Sequence, residues 1–155
     1  MENHSLFRHD DALRRIKVSP SSFVGDSRLP LESIVLYGWP DGEQNITVFR
    51  GLKSDFENAL DFWFAVLHSN KLVSLDYVIG FIEQCSDTFL NEDGLAKLVL
   101  DSFGDYGKAN IFVPWNMLGR NDFESAIKLC DNVDSLILLA QYKNDYIVFS
   151  WENGA

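Results

Sequence analysis

The sequence predicts a single-domain α+β protein, and three observations indicate this class. Segments rich in β-forming residues occur in pairs separated by turn residues, near 33–50 and again near 136–151. Between these pairs lie segments whose apolar residues recur at helical spacing. Regular strand–helix alternation is missing, so we expect a mostly antiparallel sheet with the helices on one face. The 155 residues suit one domain, in which 1–28 form a less regular N-terminal segment.

Two hairpins and one middle strand account for the predicted sheet. The first hairpin joins SIVLYGW (33–39) to NITVFR (45–50), and Pro40-Asp41-Gly42 supplies the turn chemistry between them. The last hairpin joins LILLAQY (136–142) to YIVFSW (146–151), and its first arm is apolar enough to be a central strand. The middle strand is ANIFVPW (109–115), where Pro114 indicates a sheet edge or a strand end.

About four helices are expected to pack on this sheet. One begins at a capping box formed by Ser54 and Glu57 and ends near His68. The same cap-plus-Glu pattern recurs at 121–124, and the apolar spacing that follows favours a helix to Cys130. Two more are expected from about 74 to 85 and from 92 to the Gly-rich loop at 104–107. The segment LRRIKV (13–18) could be a strand or the end of a short helix.

The charge of the chain is strongly negative and unevenly distributed. The net charge is −10, from 23 acidic and 13 basic residues. Residues 1–28 hold five basic and four acidic residues, a balance of +1, so residues 29–155 carry −11. A body this negative repels nucleic acid and anionic membrane and attracts basic surfaces. We therefore expect no direct binding to nucleic acid and no membrane association.

The remaining composition favours a cytoplasmic protein. No apolar run approaches the roughly 18–20 residues that cross a bilayer, and the N-terminus lacks the apolar core of a secretory signal. Two cysteines, Cys85 and Cys130, are too few for a disulfide framework, so we expect reduced thiols.

Motifs for the common enzyme chemistries are missing from the sequence. It contains no phosphate-binding G-x-x-x-x-G-K-[ST] or G-x-G-x-x-G, no G-x-S-x-G, no H-E-x-x-H and no C-x-x-C. Pro40-Asp41 invites comparison with PD-(D/E)-x-K nucleases, but no lysine is preceded by Asp or Glu two positions earlier. We therefore predict no catalytic residue, no metal site and no cofactor.

Acidic residues beside aromatic ones are the candidate contacts with a partner. They occur in SDFENALDFW (54–63) and in DSFGDY (101–106). Carboxylates gathered on one surface could mimic phosphates or meet a lysine-rich site, and aromatic rings are common anchors in interfaces. The candidate partner-binding residues are Asp55, Glu57, Asp61, Asp101, Asp105 and Tyr106.

With its size, its acidic body, its sheet-plus-helix order and these acid–aromatic segments, the chain resembles the small acidic immunity proteins of bacteria. Such proteins are paired with secreted or contact-delivered toxins, as in contact-dependent growth inhibition. The resemblance covers the whole chain at the level of the class and matches no family motif, so it assigns no functional residue. It implies a non-enzymatic inhibitor whose acidic face binds a basic nuclease toxin, with electrostatic steering speeding the encounter.

Two other functions use the same observations. A nucleic-acid mimic that inhibits a DNA-binding enzyme would carry a similar charge, with carboxylates in a regular row. An enzyme with an unfamiliar acid–base site would need a carboxylate of raised pKa in a deep pocket.

Overall fold

The computed structural model describes residues 6–18, 31–38, 44–69, 75–102, 117 and 120–153. These residues form four α-helices, one short 3-10 helix and six β-strands. The helices are α1 (His9–Val18), α2 (Ala59–His68), α3 (Leu75–Glu83) and α4 (Glu92–Ser102), and the 3-10 helix is Lys53–Asp55. The strands are β1 (Glu32–Gly38), β2 (Gln44–Leu52), β3 (Thr88–Leu90), β4 (Phe123–Asp131), β5 (Ser135–Tyr142) and β6 (Asp145–Asn153).

The strands form one antiparallel sheet in the order β1-β2-β6-β5-β4-β3. Both predicted hairpins are confirmed as β1–β2 and β5–β6, and β5 is a central strand as its apolar sequence indicates. The α+β class is therefore confirmed. The connection at 39–43 and the predicted strand at 109–115 lie outside the described residues.

Helices cover both faces of the sheet, so the expectation of helices on one face is wrong. Alternate residues of β5 point to opposite sides. Ile137 and Leu139 pack in one apolar cluster with α1, α2 and α3, whereas Leu138 packs in a second cluster with Leu95 and Val99 of α4. All five residues from 136 to 140 are buried. A strand that is apolar at every position needs a covering layer on each side.

The fourth predicted helix, over 121–130, is the strand β4. Its register with β5 shifts at two points, between Phe123 and Ser125 and between Lys128 and Cys130. Each irregularity inserts a residue into the strand and changes which face the next side chain meets. The strict alternation of a strand is thereby lost, and the spacing of the apolar residues imitates that of a helix. Hydrogen bonding to β5 decides the conformation here.

The helix α2 begins later than its predicted capping box. Ser54 and Asp55 belong to the 3-10 helix, and Asn58 is the N-cap, its Oδ1 accepting a hydrogen bond from the backbone N–H of Asp61 at 2.9 Å. The end of α2 at His68 agrees with the prediction. The helices α3 and α4 also lie close to their predicted ranges. The short edge strand β3 between them was not predicted.

The segment 13–18 is helical and belongs to α1. This helix lies in the N-terminal segment and packs mainly beside α3. Among the α1 side chains that the structure describes, only Ala12 is buried, with 1% of its surface exposed. In the described part of the chain, no helix combines the length and apolar character needed to cross a membrane.

Candidate functional site

One end of the sheet collects half of the net negative charge of the described residues. Because the strands are antiparallel, the starts of β1, β4 and β6 lie at the same end as the ends of β2, β3 and β5. We call this the acidic end. Six strands at about 4.8 Å spacing make it about 24 Å wide. Its eight carboxylates are Glu32, Asp55, Glu57, Glu92, Asp93, Asp122, Glu124 and Asp145, and its four cations are Arg50, Lys53, Arg120 and Lys143, which leaves −4.

A buried carboxylate holds two of these cations. The Asp145 side chain is 2% exposed. It accepts hydrogen bonds from Arg50 Nε at 2.9 Å and from Arg120 Nη2 and Nη1 at 2.9 and 3.1 Å. Arg50 also donates to Glu32 at 2.9 Å, and Arg120 forms two bonds with Asp122 at 2.6 and 2.8 Å. Both guanidinium groups are therefore neutralised within the chain.

An aromatic ring fixes the position of Arg120. Its guanidinium carbon lies 3.9 Å from the centroid of the Tyr142 ring, a cation–π distance. The Tyr142 hydroxyl donates to the Met117 carbonyl oxygen at 2.8 Å. Burial raises the pKa of Tyr142 well above its ordinary value, although the positive charge of Arg120 opposes the shift. Tyr142 thus stays neutral near pH 7 and serves as packing for the arginine.

Lys53, the third cation, lies over the Tyr146 ring on the α2 face of the sheet, opposite the face on which Arg120 lies over Tyr142. Lys53 Nζ lies 2.7 Å from Glu124 Oε1, which also accepts a hydrogen bond from Gln141 Nε2 at 2.7 Å. The hydrogen bond from Lys53 is the main cause that lowers the pKa of Glu124, and the bond from Gln141 adds to it. Glu124 therefore remains a carboxylate at neutral pH, and Lys53 contributes no free positive charge.

Four carboxylates of the acidic end remain exposed and make no ion pair with another described residue. Asp55 and Glu57 lie between β2 and α2, and Glu92 and Asp93 form the first turn of α4. They are solvated groups that can accept hydrogen bonds from lysine and arginine side chains of another molecule. The arrangement suits recognition of a cationic surface, since the local cations except Lys143 are already bound by internal carboxylates.

The structure brings two of the six predicted partner-binding residues to this surface, Asp55 and Glu57. Asp61 pairs with Arg15 of α1, and only 19% of its side chain is exposed. Asp101 lies in the last turn of α4, on the other face of the sheet from α2, and pairs with Lys97 at 2.9 Å. Asp105 and Tyr106 lie outside the described residues.

Sequence reasoning missed most of the acidic end. Asp122 and Glu124 looked like part of a helix cap, and Asp145 looked like a turn residue. The available signal was their position beside the last hairpin, where β4, β5 and β6 share one end. Arg50 and Arg120 could not be assigned to Asp145, because 95 and 25 residues separate them along the chain.

A second acidic surface is occupied by α1. The Asp87 carboxylate accepts hydrogen bonds from Arg8 Nε and from the backbone N–H of His9, both at 3.0 Å. Lys17 lies 3.6 Å from Glu83, and Arg15 pairs with Asp61. His9 Nε2 donates to the Ile82 carbonyl oxygen at 2.5 Å. We call the surface made by Asp61, Ile82, Glu83 and Asp87 the α1-binding surface.

Acid should release α1 before the sheet unfolds. The His9 backbone N–H, followed by the Arg8 side chain, lowers the pKa of Asp87 below its ordinary value. A carboxyl group of lowered pKa stabilises the docked state above its undocked pKa, about 3.9 for Asp, and loses that contribution as pH falls through the docked pKa. We expect α1 amides to exchange hydrogen faster below about pH 4, relative to β5 amides and after correction for intrinsic rates.

The variant Asp87→Asn is the control for this release, because it removes the carboxyl group whose pKa is lowered by docking and keeps a hydrogen-bond acceptor. Its α1 amides should already exchange faster at pH 6, and acid should accelerate them less than it accelerates those of the unaltered chain. Equal acceleration of α1 and β5 amides in the unaltered chain would contradict selective release and indicate global acid unfolding.

Comparisons with known proteins do not assign a function. No family model, curated protein or solved structure matches the chain. Within the described ranges, no three His, Cys, Asp or Glu side chains are grouped so that they could hold a metal ion. The inference of function therefore rests on the charge and contacts of the acidic end.

Proposed function

We propose that this chain is an immunity protein, a cytoplasmic inhibitor that binds and neutralises a basic toxin of the nuclease class through its acidic end. The observation that carries the proposal is the set of exposed carboxylates at this end that make no ion pair with a described residue, including Asp55 and Glu57. A nuclease binds polyanionic substrate, so its active-site cleft is cationic, and an acidic surface that blocks it has complementary charge.

The way the local cations are held supports the proposal. Because Arg50 and Arg120 are bound by Asp145 and further carboxylates, they leave no free positive charge that would repel a cationic partner. The network also links β1, β2, the start of β6 and the residues before β4. Carboxylates on a fixed framework lose little conformational freedom when the partner binds.

The proposed partner is a contact-delivered toxin, as in contact-dependent growth inhibition. Charge at the rim of an interface acts mainly on the association rate, which electrostatic steering raises well above that of neutral partners. A net charge of −10 would give such steering at low ionic strength, and salt would weaken it. A bacterium that makes a nuclease toxin benefits from an inhibitor that binds rapidly.

The test begins with capture from host lysate at low and moderate salt, followed by kinetics with the captured protein. We compare the unaltered chain with Asp55→Lys/Glu57→Lys and with Asp134→Lys/Glu152→Lys. The control pair is also exposed, makes no ion pair with described residues and lies at the opposite end of the sheet. Both double variants change the net charge equally, so any difference between them reports the position of the charge.

We expect the association rate to fall about 10- to 100-fold for Asp55→Lys/Glu57→Lys at low salt, and much less for the control pair. The captured protein should be basic, and its nuclease activity should fall to background at equimolar inhibitor. Equal rates for the two double variants would exclude the acidic end as the contact. A captured protein whose activity the chain leaves unchanged would overturn the proposed function.

A further inference from the structure

The helix α1 resembles a bound ligand more than a core element of the fold. Cationic side chains of α1 and of the preceding Arg8 contact carboxylates of the α1-binding surface, with Arg8 on Asp87, Arg15 on Asp61 and Lys17 on Glu83. Arg15 also lies 5.0 Å from the centroid of the Phe64 ring. The structure therefore contains a basic helix seated on an acidic surface, and it shows which side chains recognise that helix.

Much of the contact that holds α1 is open to solvent. The Arg8 and Lys17 side chains are more than half exposed, and ion pairs in that setting stabilise little. A helix of 10 residues is also marginal by itself in water. Leu6, Phe7 and Leu13 are only partly buried against the core. Elements with few buried apolar contacts open at lower free energy than the whole domain.

The α1-binding surface selects a definite kind of ligand. Asp87 accepts the backbone N–H of His9 and so caps the start of the helix, which favours a helical ligand over an extended one. The carboxylates of Asp61 and Glu83 receive cations from the last turn, where positive charge also suits the helix dipole. The partly buried apolar side of α1 faces the core. A basic amphipathic helix meets each of these requirements.

We propose that α1 occupies a binding surface for a basic amphipathic helix of the partner, and that this partner helix binds by displacing α1. The inference rests on the proposed function, since it assigns that partner a second contact. While docked, α1 keeps Asp61, Glu83 and Asp87 from unrelated cations, because a tethered ligand competes at an effective concentration in the millimolar range.

The test uses the full chain and a labelled synthetic peptide of residues 6–18 as the probe. We compare the unaltered chain with Arg8→Ala/Arg15→Ala/Lys17→Ala, in which the tethered helix has lost its ionic contacts. The peptide should bind this variant at least about 10-fold more tightly than the unaltered chain, because its tethered competitor is weakened. Its affinity should fall as salt rises. Adding Glu83→Gln and Asp87→Asn to the variant should abolish binding.

Hydrogen exchange of the unaltered chain provides the second measurement, which does not depend on the folding of a variant. Excess peptide should accelerate exchange at the α1 amides and leave β5 amides unchanged. A peptide in which Arg8, Arg15 and Lys17 are replaced by Ala should have no effect. If the basic peptide neither binds the triple variant nor changes α1 exchange, the α1-binding surface does not accept a second helix and the proposal is wrong.

The captured toxin then separates this proposal from the proposed function. A toxin that is inhibited while α1 amides exchange faster in the complex supports both. Inhibition with unchanged α1 exchange overturns displacement and leaves the immunity function standing. Failure to inhibit any nuclease, together with specific peptide binding, overturns the immunity function and retains the α1-binding surface as a site for a basic helix.

Discussion

Replacing Asp145 with Asn should lower the free energy of unfolding by about 3 kcal/mol. The carboxylate is buried and receives three hydrogen bonds from Arg50 and Arg120. Breaking a buried ion pair costs about 3–5 kcal/mol, since the remaining charge loses its partner. The lower value applies here because each guanidinium keeps a second carboxylate, Glu32 or Asp122. Urea denaturation of both proteins measures the change.

Asp134→Asn is the matched control for Asp145→Asn. Asp134 is an exposed turn residue with no ion pair to a described residue, so the same substitution there should change stability by less than about 0.5 kcal/mol. If Asp145→Asn costs no more than this control, the buried charge network contributes nothing to the stability of the sheet. A changed dependence of the free energy of unfolding on urea concentration would indicate an altered unfolded state instead.

Two Gly→Ala substitutions should have opposite effects on stability. At Gly51, an added Cβ would lie 2.5 Å from a ring atom of Phe56 and 2.7 Å from one of Phe62. Phe62 is fully buried and stacks on Tyr146, with ring centroids 5.4 Å apart, so it has little room to move. Overfilling a packed core costs about 1–3 kcal/mol, and we expect Gly51→Ala to lie near the upper value.

At Gly80, in α3, an added Cβ meets no described atom within 4 Å. Alanine loses less backbone entropy than glycine in a helix, so Gly80→Ala should stabilise the chain by about 0.5–1 kcal/mol. Thermal unfolding of both variants tests the difference in sign. Destabilisation by Gly80→Ala, or a stability unchanged by Gly51→Ala, would show that the packing around α2 or α3 differs from the structure described.

The sequence correctly predicted those elements whose local residue pattern matches the conformation that they adopt in the fold. The hairpins β1–β2 and β5–β6 were predictable because alternating or apolar runs flank short polar turns. The start of α2 was not predictable, since Asn58 rather than Ser54 supplies the cap. Strand β4 was not predictable either, because two bulges interrupt the alternation of its buried and exposed residues. Strand β3, with three residues, is too short to show a period of its own.

The candidate site was predictable only in part, for a physical reason. Asp55 and Glu57 stand out in the sequence because they are acidic residues beside aromatic ones. The network around Asp145 depends on the pairing of β2 with β6, which brings Arg50 and Asp145 together. Nothing in either local segment encodes that contact. Likewise, Asp61 looked available for a partner until α1 was placed beside it.

The position of β6 in the middle of the sheet governs when the chain can fold. Residue Gln44 at the start of β2 is paired with Asn153 at the end of β6, so the N-terminal hairpin has no partner strand to join until β6 has been synthesised. Contacts so distant in sequence make folding slow, and the edge of β2 that pairs with β6 stays open to other chains meanwhile. A fast-binding chaperone would thus be most useful in the interval between the synthesis of β2 and that of β6.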